Sequence, residues 1–148
     1  MGLHPEFPTS PYAELLPEQR WFPADEALRE KSYERLVPPL VAQIREEVHA
    51  WRQSNYAGAS ETSRALLRWW FHESHLFETK DGELDNFRYY FAQQEAVETV
   101  IWLYDVKGAR DKFDLIRFAS SDSAVSPKMF AEQWPRYVIK MATGAGKT

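Results

Sequence analysis

The sequence predicts a mostly α-helical chain that ends in a buried β-strand and a phosphate-binding loop. Three observations lead to this fold class. Apolar residues recur at helical spacing in several segments between residues 38 and 108. Near the end of the chain, β-branched and apolar residues gather in the run RYVIKMAT, which is typical of a strand covered on both faces. This run leads into TGAGKT, whose glycines, lysine and threonine are the composition of a loop that binds phosphate.

The composition indicates a folded domain with a packed core. The chain has 148 residues, of which 44% are hydrophobic and 27% are charged. A net charge of −4 argues against a broad cationic surface for nucleic acid, although it leaves a local basic groove open. The absence of cysteine excludes disulfides and thiolate metal sites. Neither a signal peptide nor an apolar run of about 18 residues is visible, so we expect a cytoplasmic protein without a membrane span.

The first half of the chain is predicted to be an arm followed by a helical region. Residues 1–23 hold five of the nine prolines and are expected to form an extended, proline-rich arm. Residues 24–84 are predicted to be helical, with the clearest helix after Pro38 and Pro39. Its apolar face consists of Leu40, Ile44, Val48 and Trp51. Arg52 is expected on its polar side.

A second helix is predicted in the segment SETSRALLRWWFHES. Ser60 or Thr62 supplies the side-chain oxygen of its N-cap. The pattern then breaks at ETKDGELDN, where Asp81 and Gly82 predict a turn. The aromatic content is 15%, including six tryptophans, and it favours an aromatic-rich core over exposed stacking platforms.

A third helix, the longest, is predicted to begin at Asp85 or Asn86 and to end at Gly108 through a left-handed residue. It carries two neighbouring glutamines, Gln93 and Gln94. A glutamine amide both donates and accepts hydrogen bonds, so it can match the N7 acceptor and the N6 donor of adenine. The ordinary alternative is that both glutamines simply face solvent.

The loop at the end of the chain fits the phosphate-loop pattern in most of its positions. Gly144 and Gly146 allow backbone N–H groups to turn toward phosphate oxygens. Lys147 would neutralise the β- and γ-phosphates, and the Thr148 hydroxyl would bind Mg²⁺. Met141 stands where the pattern has its first glycine. The candidate phosphate-binding residues are Thr143, Gly144, Ala145, Gly146, Lys147 and Thr148.

The motif MATGAGKT, the segment FAQQEAVETVIWLYDV and the run from SPYAELL to HAWR together resemble the leading part of superfamily-two helicases. Within that class the chain resembles the Res (helicase/translocase) subunit of type III restriction enzymes and its DEAD/DEAH-related neighbours. The resemblance implies that residues 85–148 begin a truncated RecA-like ATPase domain. It also implies ATP and Mg²⁺ as cofactors, and DNA and a modification methyltransferase subunit as partners of the full protein. In this class a glutamine of a Tyr-Gln-x-Glu-Ala segment reads adenine. Here Gln93 and Gln94 are both candidates, with Ala92 in place of the tyrosine.

Phosphoryl transfer needs groups that such enzymes place after the phosphate loop, among them an acidic pair for Mg²⁺ and arginines for the transition state. We therefore expect a fragment cut within the first motif, which binds ATP weakly or not at all and does not hydrolyse it. One alternative is a stand-alone helical interaction module without nucleotide chemistry. Another keeps the ATPase class but places the parent among type I restriction motors or repair helicases.

Two further groups of side chains have a functional and an ordinary interpretation. His72 and His75 lie three residues apart, but metal binding needs further ligands that the pattern does not supply. The residues Arg64, Arg68, Trp69 and Trp70 could form a basic, stacking surface for single strands. The ordinary alternative puts the tryptophans in the core and the arginines in solvent.

Overall fold

A computed structural model of the chain describes residues 10–17, 40–118 and 138–139. The described part is rich in helix and contains one small antiparallel sheet. Its elements are the helices α1 (Val41–Gln53), α2 (Glu61–His72), α3 (Phe91–Ile101) and α4 (Lys112–Ile116) and the strands β1 (His75–Glu78) and β2 (Leu84–Phe87). None of the helices in these residues is long and apolar enough to cross a membrane.

Helices α1 and α2 confirm the first two helices that the periodicity predicts. Val48 and Trp51 of α1 are buried, as expected for its apolar face, whereas Leu40 stands before the helix with a φ of 78°. In α2 the predicted cap is confirmed, because the Ser60 side chain accepts a hydrogen bond from the backbone N–H of Ser63.

The third predicted helix begins later than expected. Asp85 and Asn86, the predicted caps, lie in β2 and pair with Phe77 and Leu76 of β1. The turn between the strands closes at Gly82, which has a φ of 81° and donates its N–H to the oxygen of Thr79. This turn brings two segments with extended backbones into register, and their pairing outweighs the capping preference of Asp85 and Asn86.

Helix α3 starts at Phe91, with Tyr90 as its N-cap residue, and continues into a π-helical turn at Trp102–Val106. The predicted end at Gly108 is confirmed by a φ of 62°. The Ala109 N–H then donates to the carbonyl of Leu103 at 2.8 Å, which satisfies a carbonyl of the last turn.

The core is a cluster of buried apolar side chains from α1, α2, the connections around them and the π-helical turn. It consists of Val48, Trp51, Tyr56, Ala59, Leu67, Trp102, Leu103 and Ala109. The aromatic-rich core is therefore confirmed for Trp51, Tyr56 and Trp102, whereas Trp69 is 50% exposed. The predicted boundary at residue 84 stays a prediction, since residues on both sides of it share this cluster.

Of the predicted terminal strand, the structure describes Val138 and Ile139. They are 73% and 53% exposed, so the prediction of burial on both faces is wrong for these two residues. Strands of a parallel sheet are buried by neighbouring strands and by helices on both faces. The only sheet within the described residues is the hairpin of β1 and β2, which provides no such neighbours.

Candidate functional site

The first turn of α3 is held by hydrogen bonds and a ring contact that involve the N-terminal arm and the residue just before the helix. The backbone N–H of Phe91 donates to the carbonyl oxygen of Pro11 at 2.9 Å, so the arm satisfies one of the free donors of the helix. The Gln93 side chain reaches back, and its Oε1 accepts the backbone N–H of Tyr90 at 2.8 Å. The ring of Tyr12 packs edge-on against that of Tyr90, with centroids 5.3 Å apart. Gln93 is thereby held at the helix start, next to the arm.

Gln94 faces a different environment, a buried carboxylate. Its Nε2 donates to Oε1 of Glu98 at 2.8 Å, one turn further along α3. Glu98 is completely buried, and its Oε1 also accepts the hydroxyl of Tyr56 at 2.7 Å. Gln94 is therefore part of a polar cluster inside the protein, which we call the Glu98 network and which comprises Glu14, Arg52, Tyr56, Gln94 and Glu98.

Arg52 supplies the positive charge of the Glu98 network. Its Nε and Nη2 donate to Oε2 of Glu98 at 2.7 and 2.5 Å, and its Nη1 donates to Glu14 of the arm at 2.6 Å. The guanidinium carbon also lies 5.0 Å from the centre of the Phe91 ring. The prediction that Arg52 lies on the polar side of its helix is wrong, because its side chain is only 7% exposed. A guanidinium can be buried here because three carboxylates, those of Glu14, Glu95 and Glu98, and a ring face surround it.

Tyr56 links the network to α2. Its hydroxyl lies 3.2 Å from Nε2 of His72 while it donates to Glu98. Burial, and then the negative charge of Glu98, raise the pKa of Tyr56 far above its ordinary value. Burial acts to lower the pKa of Arg52, but the hydrogen bonds and charges of Glu98 and Glu14 outweigh it and raise that pKa. Tyr56 is therefore held as a neutral phenol, and Arg52 as a charged guanidinium.

The Glu98 network is built to position helices. A carboxylate offers about four acceptor positions. Those of Glu98 are filled by two donors on each oxygen, from Tyr56 and Gln94 on Oε1 and from Arg52 on Oε2. Such a carboxylate has no acceptor left to take a proton from a substrate. It ties α1 and the connection after it to α3, and so fixes the helix that carries Gln93.

The structure describes some of the predicted site residues and not others. Gln93 and Gln94 lie in the first turn of α3, and their side chains bind different partners. The phosphate-loop residues, Thr143 to Thr148, lie outside the described residues. Within the described ranges, no three His, Asp or Glu side chains are placed to hold a metal ion.

Sequence reasoning missed Arg52, Tyr56 and Glu98. One signal was available: Glu98 lies seven residues after Phe91 and four before Trp102, within the stripe that α3 buries. A carboxylate at such a position predicts a buried partner of opposite charge, because charged groups are rarely buried alone. Nothing in the sequence identifies Arg52 as that partner, since the two residues are 46 positions apart.

Comparisons of the chain with protein-family models, with curated proteins and with solved structures found no match. The loop motif at residues 143–148 and the contacts around α3 are the features of this chain that bear on its function.

Proposed function

We propose that this chain is the nucleotide-binding, N-terminal part of an ATP-dependent DNA helicase or translocase of the type III restriction (Res) kind. In this proposal α3 and the phosphate loop belong to a RecA-like ATPase domain that works in the cytoplasm. ATP with Mg²⁺ is its cofactor. DNA and a modification methyltransferase subunit are the partners of the complete enzyme.

The observation that carries the proposal is the place of Gln93 in the first turn of α3. Its amide is held at the helix start by the backbone N–H of Tyr90, so its orientation is set before any ligand arrives. Adenine recognition needs one donor and one acceptor in a fixed relation, and an oriented amide offers both.

Gln93 is a better candidate for adenine than Gln94. The amide nitrogen of Gln94 donates to the buried Glu98, and withdrawing it would leave a carboxylate acceptor unsatisfied. Gln94 in this proposal is a positioning residue, which acts through the Glu98 network on the orientation of α3.

The phosphates are assigned to the glycine-rich loop on its sequence. Backbone N–H groups around Gly144 and Gly146 would surround the β-phosphate, and Lys147 would neutralise charge on the β- and γ-phosphates. Thr148 would hold Mg²⁺ through its hydroxyl. These residues bind and orient; the acidic pair and the arginines that phosphoryl transfer also needs have no counterpart in the motif. We therefore expect nucleotide binding by this chain to be weak, and hydrolysis to be absent.

Titration of the isotope-labelled chain with Mg-ATP, followed by two-dimensional NMR, tests the proposal. We expect shifts of the amide signals of Gly144, Gly146 and Lys147 and of the side-chain amide of Gln93, with a Kd on the order of 1 mM. Lys147→Ala should remove the shifts in the loop, and Gln93→Ala should abolish the preference for ATP over GTP. Unchanged spectra at several times that concentration would exclude nucleotide binding and would favour the helical interaction module. If the chain hydrolyses Mg-ATP and Lys147→Ala abolishes this activity, the prediction that the chain is inactive is wrong.

A further inference from the structure

The exposed side of α2 carries two arginines on one face and a tryptophan about 100° further round the helix from Arg68. Arg64 and Arg68 are one helical turn apart, and Trp69 follows directly, with half of its surface exposed. Leu67 alone of this helix is fully buried, so the arginines and Trp69 lie away from the core. These residues take no part in the Glu98 network.

Arg64 and Arg68 have no partner for their charge within residues 10–17, 40–118 and 138–139. Neither side chain forms an ion pair, a hydrogen bond or a ring contact there. Other described arginines differ: Arg52 binds Glu98, and Arg117 lies 3.1 Å from a carboxylate oxygen of Asp114. Residues four apart on a helix have Cβ atoms about 6 Å apart, so two free guanidinium groups at these positions can reach successive phosphates of one strand.

The aromatic part of the surface is held in place by β1. His75 Nε2 lies 2.5 Å from the backbone oxygen of Trp69, and the two rings meet edge to face with centroids 4.7 Å apart. His75 pairs with Phe87 across the hairpin, and Phe77 points to the same face because side chains alternate along a strand. Phe77 and Phe87 are 45% and 46% exposed. An exposed aromatic surface thus extends from Trp69 onto the hairpin.

We propose that this surface, formed by Arg64, Arg68, Trp69, Phe77 and Phe87, binds single-stranded nucleic acid. The two arginines contact phosphates, and an unstacked base packs on Trp69. Unpaired cations beside exposed aromatic rings are the combination with which proteins hold single strands. A duplex offers the same phosphates but keeps its bases stacked inside, so the rings would gain nothing from it. None of these five residues belongs to the proposed nucleotide site, so either proposal can fail without the other.

The test of the aromatic contact is fluorescence anisotropy with a labelled oligothymidylate at low salt. Trp69→Ala should weaken binding about tenfold, whereas Trp69→Phe, which keeps a stacking face, should weaken it only about twofold. Phe113→Ala is the matched control, because Phe113 is an exposed aromatic of α4 and is 57% exposed. It should leave the affinity unchanged. Shift of the Trp69 indole N–H signal on adding the oligonucleotide gives a second readout in the unmodified chain.

The arginines are tested by salt dependence. Two phosphate contacts predict a slope of about −1.4 in a plot of log K against log salt for a single strand, and Arg64→Gln or Arg68→Gln should each reduce its magnitude by about 0.7. Arg117→Gln is the control, since that arginine is exposed but already paired with Asp114. Glu61→Gln should tighten binding, because it removes a negative charge one turn before Arg64.

The proposal is overturned if a duplex of the same length binds as tightly as the single strand, or if Trp69→Ala and Phe113→Ala have equal effects. It is also overturned if the chain self-associates and Trp69→Ala abolishes that association without changing oligonucleotide binding. In that case the surface is an interface between copies of the chain.

Discussion

Oε2 of Glu98 lies 2.7 Å from Nε and 2.5 Å from Nη2 of Arg52, so a completely buried carboxylate on α3 is paired with a guanidinium on α1. Buried ion pairs of this kind add little net stability over apolar residues of the same size, but each charge is costly once its partner is removed. The pair therefore specifies how the two helices dock, and its two members are expected to be strongly coupled.

A double-mutant cycle on this pair measures that coupling. Arg52→Met should lower the free energy of unfolding by about 3–5 kcal/mol, because it leaves the buried carboxylate of Glu98 without a counter-ion. Glu98→Leu should cost less, about 1–3 kcal/mol, because Arg52 keeps the carboxylates of Glu14 and Glu95 as partners. The double variant should be less destabilised than the sum of the two single changes, by more than about 1 kcal/mol. Urea unfolding followed by tryptophan fluorescence gives all four values.

Glu46→Leu on the exposed side of α1 is the matched control, and it should change stability by less than about 0.5 kcal/mol. Additive effects of Glu98→Leu and Arg52→Met would show that the two side chains do not depend on each other and would contradict the role assigned to the network.

Alkaline pH should destabilise the chain through Tyr56. Its pKa is raised in the folded state above the ordinary value of 10.0, so the unfolded chain loses the phenol proton first. The stabilisation is complete below pH 10 and is lost as pH rises from there toward the folded pKa, at up to about 1.4 kcal/mol per pH unit. Tyr56→Phe removes this dependence. It should cost about 1–3 kcal/mol at pH 8, and its deficit relative to the unmodified chain should shrink above pH 10.

Urea unfolding of both proteins between pH 8 and pH 11 checks this. If the two stability curves stay parallel over that range, the phenol is not held in its neutral form by the network, and the hydrogen bond from Tyr56 to Glu98 loses its assigned importance.

Local patterns were enough to predict α1, α2 and the N-cap of α2, because an apolar stripe and an N-cap serine act within a few residues of each other. Ser60 and Gly108 are examples, and the structure confirms both. The hairpin was missed for the opposite reason. Asp85 and Asn86 carry a strong capping preference, but their backbone is fixed by pairing with β1, ten or so residues earlier, which no local signal at these positions reveals.

The candidate site, too, could be predicted from the sequence only in part. The sequence singled out Gln93 and Gln94 because they stand together in one motif, but it left open which of them turns inward. Their difference arises from Glu98 and its distant partner Arg52, and contacts across 46 residues of chain have no signature in a single sequence. A carboxylate within the buried stripe of α3 was the one available sign.

The N-cap of α2 offers a test of a local interaction. Ser60→Ala should lower the free energy of unfolding by about 1 kcal/mol, because the N–H of Ser63 loses its side-chain acceptor. The backbone N–H of Ser60 donates to Asp105 at 2.8 Å, and this bond survives the substitution, so the loss should not be larger. Ser60→Asn should restore most of the stability, since it supplies a side-chain acceptor at the N-cap without placing a second carboxylate beside Asp105. Thermal unfolding distinguishes the three proteins; equal stability of all three would exclude a capping role.

The two glutamines of α3 differ in their partners, because Gln93 binds the backbone N–H of Tyr90 and Gln94 binds the buried carboxylate of Glu98. Gln93→Glu keeps an acceptor for the N–H of Tyr90 and places a negative charge in the first helical turn, so it should leave stability unchanged or raise it by about 0.3–1 kcal/mol.

Gln94→Glu replaces a donor to Glu98 with a second carboxylate inside the Glu98 network, and it should destabilise the chain by about 2–3 kcal/mol at pH 7. The deficit should shrink toward pH 4, where one of the two carboxylates can take up a proton and donate to the other. Urea unfolding at the two pH values measures both effects. Equal responses of Gln93→Glu and Gln94→Glu would mean that both side chains face solvent alike, and the choice of Gln93 for the adenine contact would then lose its structural support.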